Sequence, residues 1–205
     1  QSRNFRIHED FLNHIDILPE NIHIPDGTIS EDKVSEYCAS YDHSVRKIDL
    51  MIIGVGEQGK GEPAVLQGAG DTVLPQQAGR LVQLTHNTRK IQSGAFFGLD
   101  YTPKLAITMG IDTIMRADKI ILMAWGEEKA QIIQKVVEGE ITTQVPASNL
   151  QAHPNIEVVI DENAAQLLTR EQTPWLVGPC KWTPKFTRKA VVWLGGVGQK
   201  PILKL

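Results

Sequence analysis

Two largely apolar stretches, "IDLMIIGVG" at 48–56 and "DKIILMAWG" at 118–126, limit most severely what this chain can fold into. A strand with one wet face alternates apolar and polar residues. A run that is apolar at nearly every position belongs in a sheet covered on both faces, which is the usual situation of parallel strands. Parallel neighbours need a long crossover, most often a helix, and helical patterns do lie between the candidate strands. "NFRIHEDFLNHI" carries Phe5, His8, Phe11, Leu12 and Ile15 at helical spacing, and "ENIHI" reads as a short strand ending at the turn "PDG". Ser30 is the expected cap of a helix over "EDKVSEYCASYDHSVRK", with Lys33 where a capping box would hold Glu or Gln.

Beyond residue 79 the alternation continues. "RLVQLT", "KLAITMG" and "IEVVIDE" read as strands, and "NTRKIQSGAFF", "IDTIMRA", "EEKAQIIQKVVEG" and "TPKFTRKAVVWLGG" as helices. "ASNLQAHP" reads as a helical turn and the proline-rich "TPWLVGPCKWTP" as an extended surface strap. The class expected is α/β, a doubly wound and mostly parallel sheet with helices on both faces. At 205 residues the chain is ample for one core and borderline for two, so one domain is expected.

Charge and cysteine content remove several functions. The 21 Lys and Arg are scattered among 24 Asp and Glu, so no broad basic surface exists to displace counterions from nucleic acid. No apolar run approaches the ~18–20 residues that span a bilayer, and "QSRNFRIHED" lacks the apolar stretch of a signal peptide, so a cytoplasmic protein without a membrane partner is expected. Cys38 and Cys180 are too few for a disulfide framework or a metal cluster and read as small hydrophobes. His153 in "LQAHP" has no His or Cys at metal-ligand spacing and reads as a helix-end histidine bonded to backbone. "GGVGQ" follows a helix instead of a strand and reads as a helix stop, and the tryptophans of the last 31 residues as packing for the strap.

Ligands of doubly wound sheets bind outside the carboxyl ends of the strands, so "GVGEQGKG", "THNTR", "TMGID" and "WGEEKA" are the loops expected to share a site. The first nearly spells a nucleotide-binding loop: Gly54, Gly59 and Lys60 fit G-x-x-x-x-G-K, in which backbone N–H groups cradle phosphates. Gly61 stands where Ser or Thr would hold Mg²⁺, so nucleotide hydrolysis is a weak reading.

The ordered segments "QSRNFRIHEDFLNHIDILPENIHIPDG", "LTHNTR", "PKLAITMGIDTIMRADKIILMAWGEEKAQIIQKVVEG" and "VPASNLQAHPNIEVVIDE" resemble the glucosamine-6-phosphate deaminase family. The resemblance covers roughly residues 1–168 as one α/β domain, with 169–205 as a strap and helix belonging to it. It implies a Rossmann-like sugar-phosphate isomerase fold and conversion of glucosamine 6-phosphate to fructose 6-phosphate and ammonia, the work of an isomerase and hydrolase that needs no metal or organic cofactor. Arg89 in "LTHNTR" and Lys129 in "WGEEKAQII" match the family's phosphate-binding arginine and lysine. An arginine supplies a planar fork of donors and a lysine a point charge.

The first loop departs from the family. Its relatives have an Asp and a His flanking a glycine, then a Glu before proline; here Gln58 and Lys60 flank Gly59, with Glu62 before Pro63. Gln58, Lys60 and Glu62 are the catalytic candidates, and Gly54, Gly56 and Gly59 the backbone that approaches the ligand. Lysine, with an unperturbed pKa near ~10.4, is a poorer base at neutral pH than the histidine it replaces. The alternative is therefore a sugar-phosphate-binding module with impaired catalysis. The family's proton-abstracting acid and first glycine loop lie upstream of "QSRNFRIHEDFL", so the chain is expected to be a fragment, incomplete at its N-terminus, with slow turnover as it stands. A sheet short of strands exposes edges, which favours homo-oligomerisation. The tail "TPWLVGPCKWTPKFTRKAVVWLGGVGQKPILKL" resembles longer members in which a deacetylase-like domain follows.

Overall fold

The computed structural model describes residues 3–45, 47–55, 80–84, 86–142 and 145–199. Among these are strands β1 (Leu50–Gly54), β2 (Arg80–Gln83), β3 (Leu105–Thr108), β4 (Lys119–Ala124) and β5 (Ile156–Ile160). The helices are α1 (Arg3–Asp10), α2 (Val34–Ser44), α3 (His86–Gln92), α4 (Ile111–Met115), α5 (Ala130–Val137), α6 (Glu162–Ala165), α7 (Thr169–Gln172) and α8 (Pro184–Val197). Both apolar runs are strands, and they are neighbours. β4 lies between β1 and β5, parallel to each, with Ile53 opposite Leu122 and Leu122 opposite Val158.

One face of this sheet makes the core. Met51, Ile53, Ile120, Leu122, Ile156, Val158 and Ile160 pack with Ile111 and Ile114 of α4, Ile132, Ile133 and Val136 of α5, and Leu150. In α5 the buried Ile132, Ile133 and Val136 fall at helical spacing, so one face of the helix joins the core of the strands. Ile120 and Ile133 are wholly excluded from solvent, and each such side chain contributes roughly 1.5–3 kcal/mol relative to exposure. On the other face Leu50 and Ile52 stay about half exposed, while Lys119 and Glu157 pair at 2.8 Å across β4 and β5. Among the described residues no helix is long and apolar enough to cross a membrane.

Three local expectations change. β2 and β3 run antiparallel, Arg80 opposite Thr108 and Gln83 opposite Leu105. The segments "THNTR" and "TMGID" therefore leave that ribbon at opposite ends, and the four loops cannot all share one end. "ENIHI" is not a strand: Pro19–Asn21 is a 3₁₀ turn, and the following backbone meets tyrosines of α2 instead of a ladder. Tyr41 Oη donates to His23 O at 3.0 Å, and Asp26 N–H donates to Tyr37 Oη at 2.7 Å. Ser30 does not cap α2. Residues 30–33 form a turn closed by Lys33 N–H on Ser30 O, and the helix starts at Val34, whose side chain opens the buried stripe Val34, Cys38, Asp42.

The C-terminal stretch follows its chemistry more closely. Thr183 Oγ1 accepts from Phe186 N–H at 3.2 Å and Pro184 fills the first turn, so α8 has a side-chain cap. Its end comes where "GGVGQ" stands, Gly198 N–H donating to Leu194 O at 2.8 Å. The strap contains a 3₁₀ turn at Pro174–Leu176, and its tryptophans pack together: Trp175 stacks on Trp182 at 6.1 Å and meets Trp193 edge-on at 6.2 Å.

Candidate functional site

The parallel order β1–β4–β5 sends three chain segments out at one end of the sheet. Gly54 pairs with Met123 and Ile160 with Ala124, so the segment after Gly54, the loop 125–129 and Asp161 emerge together. Gly54 itself is not demanded by space, because a Cβ there would meet Met123 O at an ordinary 3.8 Å. Gly56, Gln58, Gly59, Lys60 and Glu62 lie outside the described residues.

The loop after β4 is built around Gly126. Its φ of +93° lies in a region that L side chains rarely adopt, and an added Cβ would stand 2.6 Å from the Glu128 carboxylate. Its N–H donates to both carboxylate oxygens of Asp161, at 3.1 and 3.3 Å, and its C=O accepts from Lys129 N–H at 3.1 Å. Lys129 thus stands, half-buried, at the start of α5 on a turn held at its glycine. Asp161 Oδ1 also accepts from Ala164 N–H at 2.8 Å, capping α6. Asp161 was not foreseen as a site residue. An Asp between a strand and a helical pattern signals a cap, but its bond to Gly126, 35 residues away, has no local signature.

Arg89 sits half-buried on α3, beyond β2. Its Nη2 donates to Leu99 O at 2.8 Å and Thr102 O at 3.3 Å, and its Nε to Thr102 O at 3.4 Å. The guanidinium therefore ties down a strained turn, in which Phe97 has φ +62° and Gly98 φ +131° and Thr102 Oγ1 donates to Gly98 O at 2.9 Å. Among the described residues these bonds use the Nε and Nη2 side of the fork only.

His153, nearly buried, bonds Ala117 O through Nε2 at 2.8 Å and receives Asn155 N–H on Nδ1 at 3.1 Å. A carbonyl only accepts and an N–H only donates, so the ring is the neutral Nε2–H tautomer with both nitrogens used. Burial, with Asp42 adding to it, pushes the Cys38 thiol up, the opposite of what a nucleophile needs. Burial likewise raises Tyr41, helped by Tyr37 and Asp42. Among the described residues no group of three or more His, Cys, Asp or Glu could hold a metal ion.

No family model matches the chain. Individual proteins do. It is 42% identical over 200 residues to a glucosamine-6-phosphate deaminase-like protein of Bacteroides thetaiotaomicron, covering 96% of this chain and 29% of that one. Glucosamine-6-phosphate deaminase 2 of Bacillus subtilis is 42% identical over 178 residues, covering 82% of this chain and 67% of its own length. The chain belongs to the glucosamine-6-phosphate deaminase family. A solved monomeric glucosamine-6-phosphate deaminase superposes with a TM-score of 0.72 at 30% identity, over 82% of this chain and 68% of that one. The chain thus spans under a third of its Bacteroides relative and about two thirds of the other two. Its Rossmann-like α/β sheet is that of the glucosamine-6-phosphate deaminases, with the lysine turn after β4 at the shared end of the parallel strands.

Proposed function

We propose that this chain acts on glucosamine 6-phosphate, opening the sugar ring, moving a proton between its first two carbons and releasing ammonia to leave fructose 6-phosphate. The observation that carries the reading is the position of Lys129, on a turn fixed by Gly126 at the carboxyl end of the central parallel strand. A cation held there suits a phosphate, and Arg89 is the second phosphate ligand in this reading. In this reading Glu62 orients the sugar, Lys60 trades protons with the ring, Gln58 takes part without ionising, and Gly54, Gly56 and Gly59 are the backbone that approaches the ligand. The reaction is an internal redox between adjacent carbons followed by hydrolytic loss of nitrogen, so it needs neither metal nor organic cofactor. The cytoplasm, where sugar phosphates are made and consumed, is the matching compartment. We place 169–205 in the same domain, and a homo-oligomer and a fused deacetylase-like domain belong to the same reading.

The second reading, binding without turnover, is favoured by Gln58 and Lys60 standing where relatives have an acid and a histidine. A coupled assay for ammonia, run beside calorimetric titration with glucosamine 6-phosphate, decides between them. Ammonia release supports the enzyme. Saturable binding without product supports the binding module, and neither binding nor product sinks both.

A further inference from the structure

We propose that Asp161 is a positioning residue for the phosphate site, holding the turn on which Lys129 stands. The proposal rests on Lys129 being a phosphate ligand. An N-cap needs one acceptor oxygen, which a serine or threonine provides. Asp161 does more than cap α6: Oδ1 accepts from Ala164 N–H at 2.8 Å and from Gly126 N–H at 3.1 Å, and Oδ2 lies 3.3 Å from the same Gly126 nitrogen. One carboxylate thereby joins the end of β5 to the loop leaving β4.

What it grips is the one residue of that loop with a conformation open chiefly to glycine, φ +93°. Glycine is also the residue that loses most freedom on ordering, so such a turn does not hold its shape unaided. Asp161 fixes the Gly126 N–H, and the Gly126 carbonyl then receives Lys129 N–H at 3.1 Å. The path from the Asp161 carboxylate to the Lys129 backbone is therefore two hydrogen bonds through a single peptide unit on each side of Gly126. Charge-assisted bonds from a carboxylate to backbone N–H groups are the stronger kind, and placement errors of about 1 Å in a binding group can cost ~10²-fold in function.

Calorimetry with glucosamine 6-phosphate tests this on the 205-residue chain, with far-UV circular dichroism confirming the fold of each variant. Asp161→Ala is expected to weaken binding on the order of tenfold, which is about 1.4 kcal/mol. Asp161→Asn, which keeps an acceptor oxygen, should recover most of the loss. Asp161→Ser keeps an acceptor for the α6 cap but is too short to serve both segments, so it should stay folded and bind as poorly as the alanine variant. In a Lys129→Ala background Asp161→Ala should cost little further. Wild-type affinity in Asp161→Ser, or losses from Asp161→Ala and Lys129→Ala that add in full, would overturn the positioning role alone. No saturable binding by the wild type, or unchanged affinity in Lys129→Ala, would instead remove Lys129 from the site and the proposal with it.

Discussion

The unit running from β4 through α5 to β5 and the segment from α1 to Ser30 both carry large apolar side chains, yet only the first hides them. Ile120 and Ile133 are 0% exposed, whereas Phe11 and Leu18 are 55% and 57% exposed. Both stretches have readable periodicity. The difference is that a parallel crossover returns a helix onto the sheet it left, so Ile132, Ile133 and Val136 of α5 share one core with Ile120 and Leu122 of β4, while α1 leads into short turns whose backbone bonds are local. An apolar pattern forecasts an element; a partner is needed to turn it into stability.

The sharpest way to break this contrast is in the core. Leu122→Ala removes a side chain that is 1% exposed in the middle of the central strand, and is expected to cost about 2–5 kcal/mol in denaturant unfolding. A cost below ~1 kcal/mol would mean that β4 is not the centre of the fold.

Next in size are the phosphate ligands of the proposed function. Lys129→Ala and Arg89→Ala should each weaken sugar-phosphate binding by about 1.5–3 kcal/mol, the worth of a hydrogen bond to a charged group. Arg89 also holds the carbonyls of Leu99 and Thr102, so its removal is expected to lower the unfolding midpoint as well as the affinity. Equal affinity for wild type and both variants by titration calorimetry would remove the two cations from the site.

His153 links the unit's interior to its loops. Its replacement by alanine leaves Ala117 O and Asn155 N–H without their ring partner and should cost about 1–3 kcal/mol. His153→Gln, which can present both a donor and an acceptor, should recover part of it. An alanine variant as stable as wild type in urea titration would show that water replaces the ring.

Much of the first region was legible because its signals are local and agree. The run 119–124 is apolar almost throughout, Gly126 follows it, and α5 carries its stripe at helical spacing. Strand direction was not legible. "RLVQLT" and "KLAITMG" read equally well in either sense, and only pairing makes β2 and β3 antiparallel. "ENIHI" has strand composition but finds tyrosine hydroxyls where a ladder would be needed. Lys129 and Arg89, the phosphate ligands of the proposed function, were singled out through motif resemblance; nothing local singles out Asp161, because its second partner is fixed by tertiary structure.

The pH dependence of stability probes the buried side of α2. Burial raises the Cys38 thiol above its ordinary 9.0 and the Tyr41 hydroxyl above 10.0. Each group is neutral when protonated, so the unfolded chain ionises first as pH rises, and the stability these groups contribute is full below the ordinary values and lost as pH climbs through the raised ones. Unfolding midpoints should fall in the alkaline range beginning near pH 9, less so in Cys38→Ala. Midpoints that fall equally in both proteins would show that the thiol is not what burial perturbs. A thiol reagent should also modify half-buried Cys180 well before Cys38 in the native protein.

The smallest effect is expected where the second region is probed directly. Phe11 is as large as any core residue, but at 55% exposure it forfeits little contact when truncated. Its neighbours are the turn Leu12–His14 and α1 itself, where Phe11 N–H donates to Ile7 O and Phe11 O accepts from His14 N–H. Those bonds are backbone bonds that alanine retains. Phe11→Ala should therefore stay within about 0.5 kcal/mol of wild type in the same urea titration that reports Leu122→Ala. Should Phe11→Ala instead lose more than ~1 kcal/mol, an amount that requires burial of the ring, the segment from α1 to Ser30 must pack on a surface in solution. The contrast between the two regions would then collapse to one of degree.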